Sequence, residues 1–250
     1  IGPDYVVTVG RPLGDMYGYI SDGRYSVDEF THDGSAWVAN EGTVDASDVL
    51  GKEFFRPGAM KLKDMNGDGK ITADDRSIIG NPHPDVTGGV NLGFGYKNWD
   101  LSTYLYYTIG NDLYAHYELY TNWGQLANVF TYERVENAWH PEKNPNGTLP
   151  MFVRGDTHAE TNESHTNYIQ DGSYLRMQTL TLGYTLPKKW LNKIKMSRIR
   201  FYAQLSNVFT ITGYEGLDPE VYQGSDRSRG IDYGSYGMPR QYLFGVNIDF

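Results

Sequence analysis

Residues 88–109 read GGVNLGFGYKNWDLSTYLYYTI and contain two segments in which larger, mainly apolar residues alternate with small or polar ones. The first set of alternate positions is Val90, Leu92, Phe94 and Tyr96, and the second is Trp99, Leu101, Thr103, Leu105, Tyr107 and Ile109. A period of two is typical of β-strands with one apolar face. Because only Lys97 and Asn98 separate the segments, the sequence predicts an antiparallel β-hairpin.

Three later segments show the same alternation, around residues 179–184, 199–206 and 241–250. We therefore predict five strands, at about residues 88–96, 99–109, 174–186, 198–211 and 240–250. A soluble β-sandwich gives the same alternation when its apolar faces turn inward, so periodicity alone leaves two folds open.

The lengths of the connections favour one of these folds. The two-residue turn at Lys97 and Asn98 is followed by a long connection at 111–172, a medium one at 187–197 and a long one at 212–239. Outer-membrane barrels alternate short periplasmic turns with long extracellular loops in this way, whereas long irregular loops are uncommon in compact domains. The sequence thus predicts an all-β fold made of antiparallel strands of a transmembrane β-barrel, with the turn at 97–98 facing the periplasm.

Composition agrees with this fold and excludes several functional classes. No apolar run approaches the ~18 residues of a membrane-spanning helix, whereas spanning strands need only about 9–11 residues each. The chain contains 21 Tyr, 10 Phe and 5 Trp, which suits an aromatic belt at a membrane interface or a carbohydrate-binding face. A net charge of -9 argues against nucleic acid as a partner, and the absence of cysteine excludes disulfides and thiolate metal sites.

The domain prediction divides the chain near residue 86. Residues 1–86 form an extracellular loop region with a short strand near Tyr5 and an acidic loop that resembles an EF-hand loop. Residues 87–250 form the transmembrane barrel strands, together with the long extracellular loops 111–172 and 212–239.

The acidic loop has the spacing of calcium ligands. Asp64, Asn66, Asp68, Gly69, Ile71 and Asp75 match positions 1, 3, 5, 6, 8 and 12 of the EF-hand loop. We predict a structural Ca²⁺ site whose ligands are Asp64, Asn66, Asp68, the backbone carbonyl of Lys70, and Asp75. Mg²⁺ is an alternative ion, and a third interpretation is a turn closed by Asp and Asn side chains without any metal.

Catalytic motifs are missing from the sequence, so we do not expect an enzyme. It contains no HExxH motif, nucleophile elbow, P-loop or dinucleotide fingerprint. In loop 111–172, apolar residues recur at near-helical spacing, which favours a short packing helix; they are Leu119, Trp123, Leu126, Phe130 and Ala138. We name Tyr120 and Trp123 in this loop as candidate substrate-binding residues, since aromatic rings stack on ligands.

Four lysines surround a tryptophan in the connection at 187–197. They are Lys188, Lys189, Lys193 and Lys195, and the tryptophan is Trp190. The pattern is typical of a solvated turn in which Trp190 lies at a membrane interface and lysine side chains reach toward lipid headgroups.

Several runs of residues carry a resemblance to a known family. They are the run from Asp64 to Lys70, Ile79–Asp85, Thr87–Gly89, Gly110–Tyr114, Ser173–Arg176, Leu180–Tyr184, Ser206–Phe209, Gly213–Tyr214 and the terminal Phe250. In their order and spacing, these runs are similar to the C-terminal part of SusC/RagA-like TonB-dependent transporters. The resemblance extends from about Gly10 to the end of the chain.

The resemblance implies a barrel of about 22 strands with a plugged lumen, in the outer membrane of a Gram-negative bacterium. It also implies a SusD-like surface lipoprotein as a lid, energy supplied by the TonB complex, and uptake of glycans or peptides. Five strands are too few to close a barrel, since single-chain membrane barrels have at least eight. We therefore expect a C-terminal portion that docks, in outer-membrane lipid, to the remaining plug and barrel polypeptide, through whose N-terminal part TonB acts.

The origin of such a portion is left open by the sequence. It starts at Ile1 without a methionine, which fits cleavage, a split gene or a shortened expressed chain. An alternative function also remains at this point, a secreted β-sandwich that is stabilised by calcium and binds glycans. The two interpretations differ in whether the apolar strand faces point outward to lipid or inward to a second sheet.

Overall fold

A computed structural model of the chain describes residues 5–123, 131–152, 163–221 and 229–250. The chain divides into two compact units, each made of three segments. The first, here the loop unit, contains Ile1–Pro82, Leu113–Gln170 and Val221–Gly234. The second, here the sheet unit, contains His83–Asp112, Asp171–Glu220 and Ser235–Phe250.

The described secondary structure is mostly β. In chain order the strands are β1 (Tyr5–Val6), β2 (Asp15–Gly18), β3 (Ser21–Arg24), β4 (Phe30–His32), β5 (Trp37–Ala39), β6 (Met60–Leu62), β7 (Ser77–Gly80), β8 (Val86–Tyr96), β9 (Trp99–Ile109), β10 (Asp112–Tyr114), β11 (Ile169–Asp171), β12 (Tyr174–Thr185), β13 (Arg198–Thr212) and β14 (Gln241–Asp249). The α-helices are α1 (Ser47–Leu50), α2 (Glu118–Thr121), α3 (Tyr132–Asn137) and α4 (Lys188–Ile194). None of the helices in the described part of the chain is both long and apolar enough to cross a membrane.

One antiparallel sheet forms the sheet unit, with the strand order β14-β13-β12-β9-β8. A two-residue turn joins β8 to β9 and places Tyr96 opposite Trp99. Strand β9 pairs in turn with β12, although about sixty residues separate the two along the chain. The prediction of an all-β fold whose antiparallel strands do not close into a barrel is confirmed.

The five strands begin and end close to the ranges expected from the alternation. Strand β12 has one irregularity, between Met177 and Thr179, in its pairing with both β9 and β13. Against β9 the extra residue lies on β12, and against β13 it lies on β13, so each pair contains a β-bulge, which bends the bulged strand and increases its twist.

The loop unit has its own core. Tyr25, Phe30 and Phe55 pack with their ring edges against one another, with centroids 5.1–5.6 Å apart. Met16 and Ile71, which come from different small sheets and turns, are fully buried in the same cluster. These contacts give residues 15–80 a buried core.

The long connections contribute to this core. The connection after β9 contains β10, α2, α3 and β11, and its residues Tyr114, Leu119 and Tyr168 are buried in the cluster. From the other long connection, Ile231 is buried there too. The predicted helix around Leu119 is one turn long where it is described, and its positions Leu126 and Phe130 lie outside the described residues.

Candidate functional site

The five-stranded sheet has one exposed apolar face. Pairing places Phe94, Leu101, Leu182, Ala203 and Phe244 in a single row across all five strands. In this row, Phe94 is 63% exposed and Phe244 is 78% exposed. Within the described residues of the unit, therefore, the apolar face of the sheet is not covered by a second sheet.

A row of aromatic residues lies on the same face near one end of the sheet. Tyr96, Trp99, Tyr184 and Phe201 are consecutive in register across β8, β9, β12 and β13. The Trp99 and Tyr184 rings are 4.7 Å apart. This end, here the turn end, is where the strands connect through the turn at 97–98 and through residues 186–197.

The opposite face carries polar side chains and an ion pair. Asp100 on β9 accepts a hydrogen bond of 2.9 Å from Nε of Arg200 on β13, across the intervening strand β12. The residue beneath the pair is Gly183, where a Cβ atom would lie 2.5 Å from both Asp100 Oδ1 and Arg200 Nε. Glycine at this position therefore leaves the space that the ion pair fills.

Tyrosine rings cover glycines at two more places on this polar face. A Cβ at Gly89 would lie 2.7 Å from Cζ of Tyr104, and a Cβ at Gly245 would lie 2.6 Å from Cε1 of Tyr202. In both cases the ring comes from the neighbouring strand. Packing of an aromatic ring over a strand glycine restores the side-chain contacts that the glycine lacks.

A buried arginine ties the connection after β13 to the sheet. Arg176 on β12 is 2% exposed, and it donates hydrogen bonds to Thr210, Glu220 and Asp218. The Asp218 carboxylate also accepts backbone N–H groups from Glu220 and Met238, each at 2.9 Å. Burial raises the pKa of Asp218, but these donors and the Arg176 charge outweigh it, so the pKa lies below its usual range.

The acidic loop is closed by its own side chains. Asp64 accepts hydrogen bonds from the backbone N–H groups of Gly67 and Gly69, at 2.6 and 2.8 Å. Asn66 Oδ1 and Asp68 Oδ1 each accept the N–H two residues further on, at 2.9 Å. The Asn66 and Asp68 contacts are Asx turns, and together with those of Asp64 they give the loop a defined shape without an ion.

Asp75, at the last position of the loop, is buried. Its carboxylate accepts N–H groups from Met65 at 2.9 Å and from Thr72 at 2.7 Å. Burial raises the pKa of Asp75, but the N–H donors of Thr72, Met65 and Asn66 outweigh it and hold the pKa below its usual range. The carboxylate is thus ionised at neutral pH and fixes the two ends of the loop together.

The predicted ligands are brought into one loop but not into a tight carboxylate cluster. In the described part of the chain, no three His, Cys, Asp or Glu side chains are grouped closely enough to hold a metal ion. An ion here would therefore need the Asn66 amide oxygen and the Lys70 carbonyl in addition to carboxylates. Each accepting oxygen has a second lone pair, so the Asx hydrogen bonds are compatible with such an ion.

The two candidate substrate-binding residues have different surroundings. Trp123 is 4% exposed, and its ring lies 4.8 Å from His165 and 5.3 Å from Tyr168. Tyr120 is partly exposed, and His116 lies between it and Tyr233, at 6.0 and 4.4 Å from the two rings. Trp123 therefore belongs to the packed interior of the loop unit, whereas Tyr120 is part of a surface group of three rings.

Sequence reasoning missed the two arginines with structural partners on the sheet. Arg176 is the one charged residue of β12, and Arg200 is, with Arg198, one of two in β13. A charge inside such a strand signals a carboxylate partner on the same face, because an unpaired charge there is costly. The sequence pattern does not identify the partner, because Asp100 is 100 residues away from Arg200 along the chain.

Comparison with known proteins gives several relatives. No family model matches the chain. It is 32% identical to TonB-dependent receptor P3 of Formosa agariphila over 98% of its own length, and 31% identical to TonB-dependent receptor SusC of Bacteroides thetaiotaomicron over 79%. The chain spans about a quarter or less of these relatives, 23% of P3 and 18% of SusC. Their names are those of receptors, which agrees with the expectation that the chain is not an enzyme.

Solved structures show the same fold. The RagAB peptide importer in its closed-closed state aligns with 99% of this chain and 25% of its own, at a TM-score of 0.65 and 20% identity. A second structure of the RagAB peptide transporter aligns with a TM-score of 0.68 and 18% identity. Over nearly its whole length, this chain is thus a homologue of the corresponding segment of SusC-like TonB-dependent receptors.

Proposed function

We propose that this chain forms part of the membrane-spanning wall and the external loops of a TonB-dependent nutrient importer in a Gram-negative outer membrane. The observation that carries the proposal is the exposed apolar face of the sheet, which runs across all five strands. Monomeric soluble proteins rarely expose continuous apolar patches of more than a few hundred Å². Lipid is the environment in which such a face is stable.

The position of the aromatic row supports the same environment. Transmembrane barrels carry girdles of aromatic residues where the apolar band meets the headgroups. Tyr96, Trp99 and Tyr184 form such a row at the turn end, next to the shortest connection. We assign this end to the periplasm, and residues 1–86 and the long connections 111–172 and 212–239 to the cell exterior.

The sandwich alternative is not favoured. It requires a second sheet against the apolar face, but the described residues of the sheet unit contain one sheet, and Phe94 on that face is 63% exposed. The relatives also carry the names of receptors.

The partners follow from the open edges and from the relatives. Strands β8 and β14 lie at the two edges of the sheet, and unpaired strand edges are untenable in lipid. We propose that a polypeptide of the same transporter supplies the further barrel strands, which pair with these edges, and the plug. TonB acts through that polypeptide. A SusD-like lipoprotein covers the extracellular side. The two-component name of the RagAB importer supports the lipoprotein partner.

The proposed cargo is a glycan or a peptide. The similarity to the RagAB peptide importer supports peptide, and the SusC/RagA-like sequence runs fit either class. Within the loop unit, the partly exposed rings of Tyr120, His116 and Tyr233 offer a surface on which either cargo can stack.

We also propose that loop 64–75 binds Ca²⁺ as a structural ion. Support comes from the ligand spacing and from the attachment of the loop to the core. Asp45 donates its N–H to the Gly69 carbonyl and accepts the N–H of Ile71, whose side chain is fully buried. These hydrogen bonds fix one side of the loop, and a bound ion would hold the rest of it in place.

Cysteine labelling in intact cells tests the proposed location and orientation. Because the chain has no cysteine, a single introduced cysteine reports one position. Glu41→Cys, in the loop unit, should react with a membrane-impermeant maleimide in intact cells, and Asn192→Cys, in the connection after β12, only after permeabilisation. Recovery of the whole protein as a soluble, folded species after cell fractionation would contradict the membrane location. The reverse labelling pattern would contradict the orientation.

A further inference from the structure

The connection between β12 and β13 contains a helix whose charge is not neutralised. Lys188, Lys189 and Lys193 lie on α4, and Lys195 follows it. All four side chains are exposed, and within the described part of the chain none of them forms an ion pair. Residues 172–214 contain no Asp or Glu, so the element supplies no counter-charge of its own.

Helix α4 has one buried side and one exposed side. Leu191 is 3% exposed, and Trp190, the preceding residue, is 57% exposed. The helix contacts β13, and Ile199 at the start of that strand is buried although Phe201, on the same face, is 47% exposed. We attribute this difference to cover by α4 over the end of the apolar face.

The surroundings of the helix match a membrane interface. It lies at the turn end, where the row Tyr96, Trp99 and Tyr184 marks the border of the apolar face. Lys97 adds a further cation there, 5.1 Å from the Tyr96 ring. Two acidic residues of the strands lie at this end: Asp249 is opposite Arg198 in register, and Asp100 is paired with Arg200.

We propose that α4 and its lysines form a binding site for anionic phospholipid headgroups in the leaflet that surrounds the turn end. This proposal rests on the proposed function, because it needs the apolar face to be in lipid. Lysine clusters beside a membrane attract anionic lipid, and an exposed tryptophan inserts at headgroup level. The four lysines supply the charge, Trp190 supplies the anchor, and Leu191 holds the helix to the protein.

The experiment measures lipid retained by the complete transporter that contains this chain. The protein is purified from nanodiscs of phosphatidylethanolamine mixed with phosphatidylglycerol, and native mass spectrometry counts each lipid that remains bound. The test variant is K188Q/K189Q/K193Q, since glutamine has a helix propensity close to that of lysine. The control is K52Q/K63Q/K143Q, which removes the same charge from exposed lysines of the loop unit.

Wild type and control should retain phosphatidylglycerol in preference to phosphatidylethanolamine, and the α4 variant should lose this preference by on the order of tenfold. An equal preference for phosphatidylglycerol in the α4 variant and in the control would contradict the proposed lipid site. Cell fractionation distinguishes a failure of the proposed function from a failure of the lipid site alone. A wild-type protein that is absent from the outer membrane contradicts the proposed function, whereas one that is in the membrane without any preference for the anionic lipid contradicts only the lipid site.

Discussion

Gly183 is the residue on which the polar face of the sheet depends most directly. A methyl group there would lie 2.5 Å from Asp100 Oδ1 and from Arg200 Nε, so Gly183→Ala must displace the ion pair. Overpacking of this kind costs about 1–3 kcal/mol. We expect a lower thermal midpoint of the transporter in detergent micelles.

Gly93 provides the matched control for this prediction. It is a strand glycine on the same polar face, and a Cβ atom there would meet nothing within 4 Å. Gly93→Ala should therefore leave the midpoint close to that of wild type. Equal losses in the two variants would mean that glycine matters for backbone reasons alone.

Asp68 tests the calcium proposal. Asp68→Ala removes a proposed ligand and an acceptor of two hydrogen bonds, one from the Lys70 N–H and one from the Asn66 amide. An ion that binds only the folded state adds about 2.7 kcal/mol at a hundred times its dissociation constant. The variant should therefore lose more thermal stability in excess CaCl₂ than in EGTA.

The control for Asp68 is Asp74→Ala, at an exposed position of the same loop that is not a proposed ligand. Its stability should respond to calcium as wild type does. Equal losses for Asp68→Ala in calcium and in chelator would argue for an Asx-turn loop without an ion.

Arg176 and Asp218 give a prediction in acid. The folded-state pKa of Asp218 is lowered, so its contribution to stability is present above the unfolded value of about 3.9 and is lost as the pH falls through the folded value. We expect the connection after β13 to open to protease as the pH drops below about 4. Arg176→Met should produce the same opening at neutral pH, because it leaves Asp218 buried without its cation, at a cost of about 3 kcal/mol or more.

Protease digestion in the wild type at neutral pH supplies the reference for both changes. Cleavage within residues 212–239 that is independent of pH and of Arg176 would show that the arginine does not hold this connection.

At the scale of elements, strand alternation is a local signal, and the five long strands were predictable for that reason. Each needs only its own residues to show which side is apolar. The small sheets of the loop unit carry no such signal, because their strands have two to four residues and distant partners. Ser21, for example, donates its N–H to Thr166, 145 residues later.

The candidate site was predictable to a similar extent. The acidic loop follows from spacing, and the structure places its residues in one turn. Trp123 shows the limit, since an aromatic residue at near-helical spacing gives the same pattern whether it packs inward or meets a ligand. Its contacts with His165 and Tyr168 depend on the tertiary fold.

A pair of substitutions on β12 tests the two faces of the sheet. Leu180 lies on the apolar face and the adjacent Thr181 on the polar face. An arginine on the lipid side near the middle of the membrane costs about 2–4 kcal/mol, whereas one on the lumen side is tolerated. Leu180→Arg should reduce the amount of assembled protein in the outer membrane, as measured by heat-modifiable migration on gels, and Thr181→Arg should not.

Equal assembly of these two variants would contradict the assignment of the faces. A larger defect for Thr181→Arg would reverse it.

At the scale of the whole molecule, the chain combines a sheet that has an exposed apolar face with a loop unit that has its own aromatic core. The chain spans about a quarter of the length of these relatives. In the assembly that we propose, this chain contributes part of the barrel wall, external loops and, at the turn end, a cationic helix.

The most direct test is the collision rate of dissolved oxygen with nitroxide labels on the apolar face. Single labels at Phe94, Leu101 and Leu182, each introduced as a cysteine, sample three neighbouring strands of the sheet. Oxygen concentrates in lipid, so we predict high oxygen collision rates and low rates with a water-soluble nickel complex at all three sites. Low rates with both reagents would place this face inside a protein core and contradict a lipid-facing sheet.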